Sequence, residues 1–232
     1  MLNVEWCLNS TFNIQHSTYM ERRPLKTRER SWAKSLARLL VRWRVRPNSI
    51  SILSILFAAL AGVAFLLSRD ASPLVRLALL ITAAAGIQLR LLCNMLDGMV
   101  AVEGRMASKV GDLFNEFPDR VADVVILATA GDAVMRFSVA PALGWCAAVF
   151  ALLTAYVRAL GGSLKLEQDF RGPMAKPHRM ATMTAASIAD GVAGLFGYRD
   201  YALTAALIVI IVGCLLTLFR RLRRMVIELE SR

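Results

Sequence analysis

Acidic residues are scarce in this chain. Asp and Glu number 17 against 28 Lys and Arg, a formal net charge of +11. Charged residues of both signs make up 19%, below the roughly 25% of an ordinary soluble domain. There are four cysteines, and Cys93, Cys146 and Cys214 lie in apolar stretches. That excludes a disulfide-built scaffold, and their spacing fits no zinc motif. The first 48 residues lack the apolar core and small-residue cleavage site of a secretory signal. Apolar residues are abundant: 56% of the chain, with mean hydropathy +0.51. Such a composition excludes intrinsic disorder. The positive charge leaves a soluble nucleic-acid binder formally open, but the apolar residues are gathered into runs that argue against it.

A helix needs about 20 mostly apolar residues to cross a bilayer. Residues 50–68 are nineteen without a charge. Residues 74–96 follow, interrupted by Arg76 and Arg90 near their ends. Residues 119–135 continue a helix that begins near Gly111. Residues 138–156 end before Arg158, 180–197 contain Asp190, and 202–219 run into Arg220-Arg221-Leu222-Arg223-Arg224. The expected fold is an all-α integral membrane protein with six transmembrane helices. Placing the N-terminus inside puts 22 basic residues in the inner segments and four (Arg69, Arg76, Arg136, Arg199) in or near the outer turns. The positive-inside rule then gives N-in and C-in. The net charge is accounted for mainly by topology, and no nucleic-acid partner is expected.

Residues 29–47 place Trp32, Leu36, Leu39, Leu40 and Trp43 at helical spacing, with Lys34, Arg38 and Arg42 on another face. That pattern suits a basic amphipathic helix lying on anionic lipid; a plain basic flank before the first span is the alternative. The expected division is a tail over 1–28 (with Met20, ahead of Glu21-Arg22-Arg23, as an alternative start), an interfacial helix over 29–47, a six-helix membrane domain over 48–222 and a basic cytoplasmic tail over 223–232.

The polar stretch between the second and third spans carries the chemistry. On a helix Asn94 and Asp97 share a face, as do Asn115 and Asp119, with Gly111 one turn back on the second stripe. Two helices meeting at their cytoplasmic ends would bring four oxygen-bearing side chains together. Hard cations such as Mg²⁺ take oxygen ligands of this kind, usually completed by substrate phosphates. Gly98, Ala101 and Gly111 leave room for a bulky group against the backbone. Acidic groups at membrane depth are costly and point to function. The bland alternative is that Asp97 and Asp119 cap helices or pair with Arg90 and Arg120.

The spacing resembles the motif of the CDP-alcohol phosphotransferase family, Asp-x2-Asp-Gly-x2-Ala-Arg-x8-Gly-x3-Asp-x3-Asp. Asp97, Gly98, Ala101, Gly111 and Asp119 fall in register without a gap. Pro47-Asn48-Ser49-Ile50-Ser51 is similar to the family's entry into its first span, and Lys176-Pro177-His178-Arg179 lies where the family often has a Lys-rich stretch. The resemblance covers roughly residues 30–222. Three positions depart from it: Asn94 and Asn115 stand where Asp is expected, and Val102 where Arg is expected, with Arg105 one turn later.

The resemblance implies an enzyme in which an alcohol displaces CMP from a CDP-linked lipid, CDP-diacylglycerol in phospholipid-making members. It implies Asp119 as the catalytic base. It implies Asn94, Asp97, Asn115 and Asp119 as ligands of one or two Mg²⁺ or Mn²⁺ ions, and Gly98, Ala101, Arg105 and Gly111 against the CDP moiety. Arg158, Lys176 and Arg179 gather on the same side and would hold the phosphate of an acceptor, although the positive-inside rule alone also places basic residues there. The resemblance further implies a homodimer in a bacterial inner membrane, with its active site facing the cytoplasm. A catalytically silent member with a binding or regulatory role is the second expectation, supported by the Asn substitutions. A small transporter is the third; it predicts internal repeats, and none is visible between residues 50–135 and 138–222.

Overall fold

The computed structural model describes residues 31–104, 106, 111–166, 169 and 172–231, without the side chains of Asp112 and Asn115. The 1–28 tail, with its alternative start, and Arg105 therefore lie outside the described residues. Within them the chain forms seven helices: α1 (Ser31–Arg42), α2 (Pro47–Ser68), α3 (Pro73–Glu103), α4 (Gly111–Asp132), α5 (Ala140–Ser163), α6 (Lys176–Leu195) and α7 (Tyr201–Glu230).

Proline marks the start of four of them. Pro47, Pro73, Pro141 and Pro177 occupy the first or second helical position, where the missing N–H costs nothing and the fixed φ suits the helix. Pro118 is different. It sits inside α4, immediately before Asp119, and cannot donate the bond back to the Phe114 carbonyl.

The helices close into a ring. α2 packs on α3 and α4, α4 on α5, α5 on α7, α7 on α6, and α6 back on α3, while α1 lies against α3. α2, α3, α5 and α7 are each long and apolar enough to cross a membrane, and the chain is an integral membrane protein. α4 and α6 complete the ring at 22 and 20 residues. They are less apolar because they carry buried ionic side chains, among them Asp119, Asp123, Arg179 and Asp190.

Alanine dominates the core. Ala58, Ala61, Ala83, Ala122, Ala130 and Ala147 are all fully buried. Small residues let helix backbones approach, which matters in lipid, where tails compete equally for apolar side chains. One close crossing is α4 on α5. A Cβ added to Gly144 would stand 2.7 Å from the Leu127 carbonyl oxygen and 3.0 Å from the Gly131 Cα. Backbone cannot give way as a side chain does. Gly144→Val is expected to destabilise the fold by about 1–3 kcal/mol through overpacking, read as a lower thermal unfolding midpoint in detergent.

The loop end opposite the motif is locked by charge. Arg76, 1% exposed, donates to Asp190 at 2.6 Å, to Asp200 at 2.7 Å and to the Ser68 carbonyl at 3.0 Å. Asp190 also accepts from the backbone N–H of Asp200 and Ala202, both at 3.1 Å. Asp200, at φ 76°, accepts from the N–H groups of Met135 and Arg136. Asp tolerates that left-handed conformation better than most residues. One cluster thus ties α2, α3, α6, α7 and the α4–α5 turn. Asp190, whose role the sequence leaves open, is a structural carboxylate here.

Candidate active site at the ends of α3, α4 and α6

Asp97 lies 21 residues after Arg76 along α3, about 30 Å at the helical rise of 1.5 Å per residue. At this other end the ring gathers a second set of buried charges. Arg90 is fully buried, Asp123 is 1% exposed, Arg179 2%, Asp97 4% and Asp119 5%. Burying so many ionic groups is costly unless each is paired.

Asp119 is the hub. Its side chain accepts from Asn94 Nδ2 and from Lys176 Nζ, and Arg90 approaches its Oδ1 at 3.3 Å. Arg90 also donates to the Asp119 backbone carbonyl at 2.9 Å. α3 supplies Arg90 and Asn94 one turn apart on one face, α4 supplies Asp119, and α6 contributes Lys176 as its first residue. Of the four oxygen-bearing side chains expected together, Asn94 and Asp119 meet across α3 and α4, with the Asn94 amide nitrogen as the donor.

Asp123, one turn beyond Asp119, is a second hub that the motif does not contain. Arg90 donates to its Oδ1 at 2.8 Å and Arg179 to its Oδ2 at 2.7 Å. Arg179 further donates to the Met174 carbonyl at 3.0 Å and to Thr154 Oγ1 at 3.3 Å. The signal was present in the sequence: an acidic residue at i+4 from Asp119, within an apolar stretch, defaults to function or pairing.

Asp97 faces a different neighbour. Its Oδ2 accepts from Ser51 Oγ of α2 at 2.7 Å, and its buried Oδ1 has no hydrogen-bond partner among the described residues. Arg90 Nη1 is likewise buried and unpartnered among the described residues. Asp97 is near enough to Asp119 and Lys176 to interact with their charges. An orphaned carboxylate oxygen and an orphaned guanidinium nitrogen in one site each call for a partner of opposite charge. Removing the hydroxyl in Ser51→Ala takes away the side-chain partner of a buried carboxylate. It is expected to cost about 1–3 kcal/mol, again read as a lower unfolding midpoint.

The other expected residues are placed as follows. Gly98 is half-buried and Ala101 buried on the last turns of α3, and Gly111 opens α4 half-buried. Arg158, from α5, donates to both oxygens of Glu116 at 2.6 Å, and Arg120 pairs with the same carboxylate at 2.7 Å. Arg158 and Lys176 therefore engage carboxylates three residues apart on α4, whereas Arg179 is spent on Asp123. His178 is exposed. Arg105 and the Asn115 side chain lie outside the described residues.

No group of three His, Cys, Asp or Glu stands together as a metal cage among the described residues. The donor chemistry nevertheless fits a hard cation at Asp97. The free Oδ1 is an oxygen ligand, and such ions commonly take one or two carboxylates and complete their shell with substrate phosphates.

No protein-family model matches the chain, and no curated protein does either. Solved structures do. The chain is similar to the phosphatidylinositol phosphate synthase PgsA1 of Mycobacterium tuberculosis with CDP-DAG bound, at 21% identity and a TM-score of 0.68, over 83% of this chain and 92% of that one. The same enzyme in complex with manganese and citrate matches at 21% and 0.68, over 83% and 88%. Its apo form matches at 20% and 0.65, over 82% and 93%. The likeness establishes a shared fold across most of both chains.

Proposed function

We propose that this protein is a phosphatidyltransferase of phospholipid synthesis, in which an alcohol displaces CMP from a CDP-linked lipid, CDP-diacylglycerol. The observation that carries the reading is the Asp97–Asp119 array. Two carboxylates stand in the register of the resembled motif at one end of the helix ring. Asp97 Oδ1 and Arg90 Nη1 lack partners there, and the fold is shared with a synthase crystallised with CDP-DAG. Supporting proposals are six spans with both termini inside, α1 lying on the membrane surface through exposed Trp32 and Trp43, a cytoplasmic site in a bacterial inner membrane, and a homodimer.

In this reading the hydroxyl oxygen of the acceptor forms a bond to the phosphorus that carries the diacylglycerol. The bond from that phosphorus to the bridging oxygen breaks, and CMP leaves with the electron pair. Asp119 takes the hydroxyl proton. Arg90, Asn94 and Lys176 hold the Asp119 carboxylate in a fixed orientation. Gly98, Ala101 and Gly111 admit the CDP moiety, with Arg105 beside it. Arg158 faces the acceptor phosphate, and Arg179 supports that side through Asp123. Mg²⁺ or Mn²⁺ on Asp97, with Asn94, Asn115 and Asp119 as further candidate ligands, would neutralise diphosphate charge when bound.

The test is incubation of detergent-purified protein with CDP-diacylglycerol, Mg²⁺ or Mn²⁺ and a panel of alcohols, following CMP and new phospholipid. Release of CMP matched by one new lipid supports the transferase and names its acceptor. The second reading, a silent member that binds a CDP-lipid for a regulatory role, is favoured by the crowding of Asp119 with donors. It predicts donor binding without CMP release from any acceptor.

A further inference from the structure

We infer that Lys176 is a built-in cation in the donor site, so that the site takes one divalent ion, on Asp97, and not two. The inference rests on the donor-site reading above and concerns how this chain balances charge there.

The resembled motif carries four Asp; this chain has Asn94 and Asn115 at two of them and so loses two negative charges. The structure shows what accompanies the loss. Three buried carboxylates, Asp97, Asp119 and Asp123, are matched by three cations, Arg90, Lys176 and Arg179. Among the described residues these six charges balance one another. At Asp119 the lone pairs are already directed at Asn94 Nδ2, Arg90 and Lys176 Nζ. A divalent ion placed there would face three N–H donors and two adjacent positive charges, an arrangement that Coulomb repulsion at short range disfavours.

Asp97 is the opposite case. Ser51 holds one oxygen, and the other is buried with no partner among the described residues. Among the described residues it is the motif carboxylate with a whole oxygen left unpartnered, whereas both oxygens of Asp119 already accept from cations or an amide. Lys176 is suited to the remaining role. Its ammonium is a compact point charge on a flexible stem, and its side chain keeps 20% of its surface exposed, so a bound diphosphate can reach it. The positive charge that a second ion would bring from solution is thus supplied by the chain.

The experiment counts Mn²⁺ bound per chain, by equilibrium dialysis with electron paramagnetic resonance, on the full-length protein in detergent, with and without CDP-diacylglycerol. Wild type is expected to bind one ion. Lys176→Met is expected to admit a second as the repelling charge is removed. Lys176→Arg keeps the charge and is expected to stay at one. Asp97→Asn is expected to lose the single ion. Adding Asn94→Asp to Lys176→Met is expected to give two. Two ions on the wild type, an equal count in Lys176→Met and Lys176→Arg, or an ion that survives Asp97→Asn would each overturn the inference. The count does not depend on turnover. One ion per chain with no CMP release would retain the inference and refute the transferase, and two ions with CMP release would do the reverse.

Discussion

Asp119→Asn is expected to reduce CMP release from CDP-diacylglycerol by about 10²–10⁴-fold, the range over which a positioned general base accelerates a reaction. The substitution keeps the volume of the side chain and its place on α4. It removes the one described group in the motif frame that is both anionic and anchored from two other helices, by Arg90 and Asn94 from α3 and Lys176 from α6. The proposed donor-binding surface on α3, with Gly98 and Ala101, is untouched. The loss is therefore expected in kcat, with donor affinity changed far less. Its measurement is a rate series against donor concentration for wild type and variant, alongside their unfolding midpoints. A variant that retains a third or more of the wild-type rate would remove Asp119 from the reaction.

Asp123→Asn is expected to have the largest effect on stability. Asp123 is 1% exposed and carries the countercharge for two buried guanidinium groups, Arg90 at 2.8 Å and Arg179 at 2.7 Å. Removing one member of a buried ionic cluster typically costs about 3–5 kcal/mol, because the charge left behind is stripped of both water and partner. Two cations are left short here. Arg90 retains only the longer contact to Asp119 and the backbone carbonyl of that residue. Arg179 retains a carbonyl and a hydroxyl. The expected result is a large fall in the unfolding midpoint in detergent, or failure to accumulate in the membrane. If Asp123→Asn unfolds with the wild-type midpoint, the cluster does not hold α3, α4 and α6 together.

Much of the helical layout is legible in the sequence because apolar runs leave few alternatives. The runs at 50–68, 74–96 and 202–219 fall within α2, α3 and α7, and the run at 138–156 starts two residues ahead of α5. α4 and α6 were the harder pair, since the charges that build the site also dilute their hydropathy. Within the site, helical spacing puts Asn94 and Asp97 one turn apart, but in the fold Asn94 meets Asp119 of α4 and Asp97 meets Ser51 of α2. Arg90 as a neutraliser of the carboxylates does follow from spacing, lying one turn before Asn94. What spacing could not supply is pairing between distant helices. Ser51 finds Asp97 across 46 positions, Arg179 finds Asp123 across 56, and Arg76 finds Asp190 across 114. Such partners are chosen by how the ring closes. The same limit explains Arg158, Lys176 and Arg179. Read from the sequence they form one basic cluster, but in the fold each serves a different carboxylate: Glu116, Asp119 and Asp123.

If the ends of α3 and α4 form a site for a CDP-linked lipid, that donor stabilises the folded protein against heat. Purified protein in detergent would be heated with CDP-diacylglycerol, or with phosphatidic acid of the same acyl composition, in the presence of Mg²⁺. A ligand that binds only the folded state raises its stability by about 2.7 kcal/mol at a hundred times its Kd. The account predicts a clear rise in unfolding midpoint with CDP-diacylglycerol, little with phosphatidic acid, and loss of the rise in Gly98→Leu, whose side chain would fill the space assigned to the nucleotide. Equal stabilisation by both lipids, or a rise that Gly98→Leu leaves intact, would contradict it.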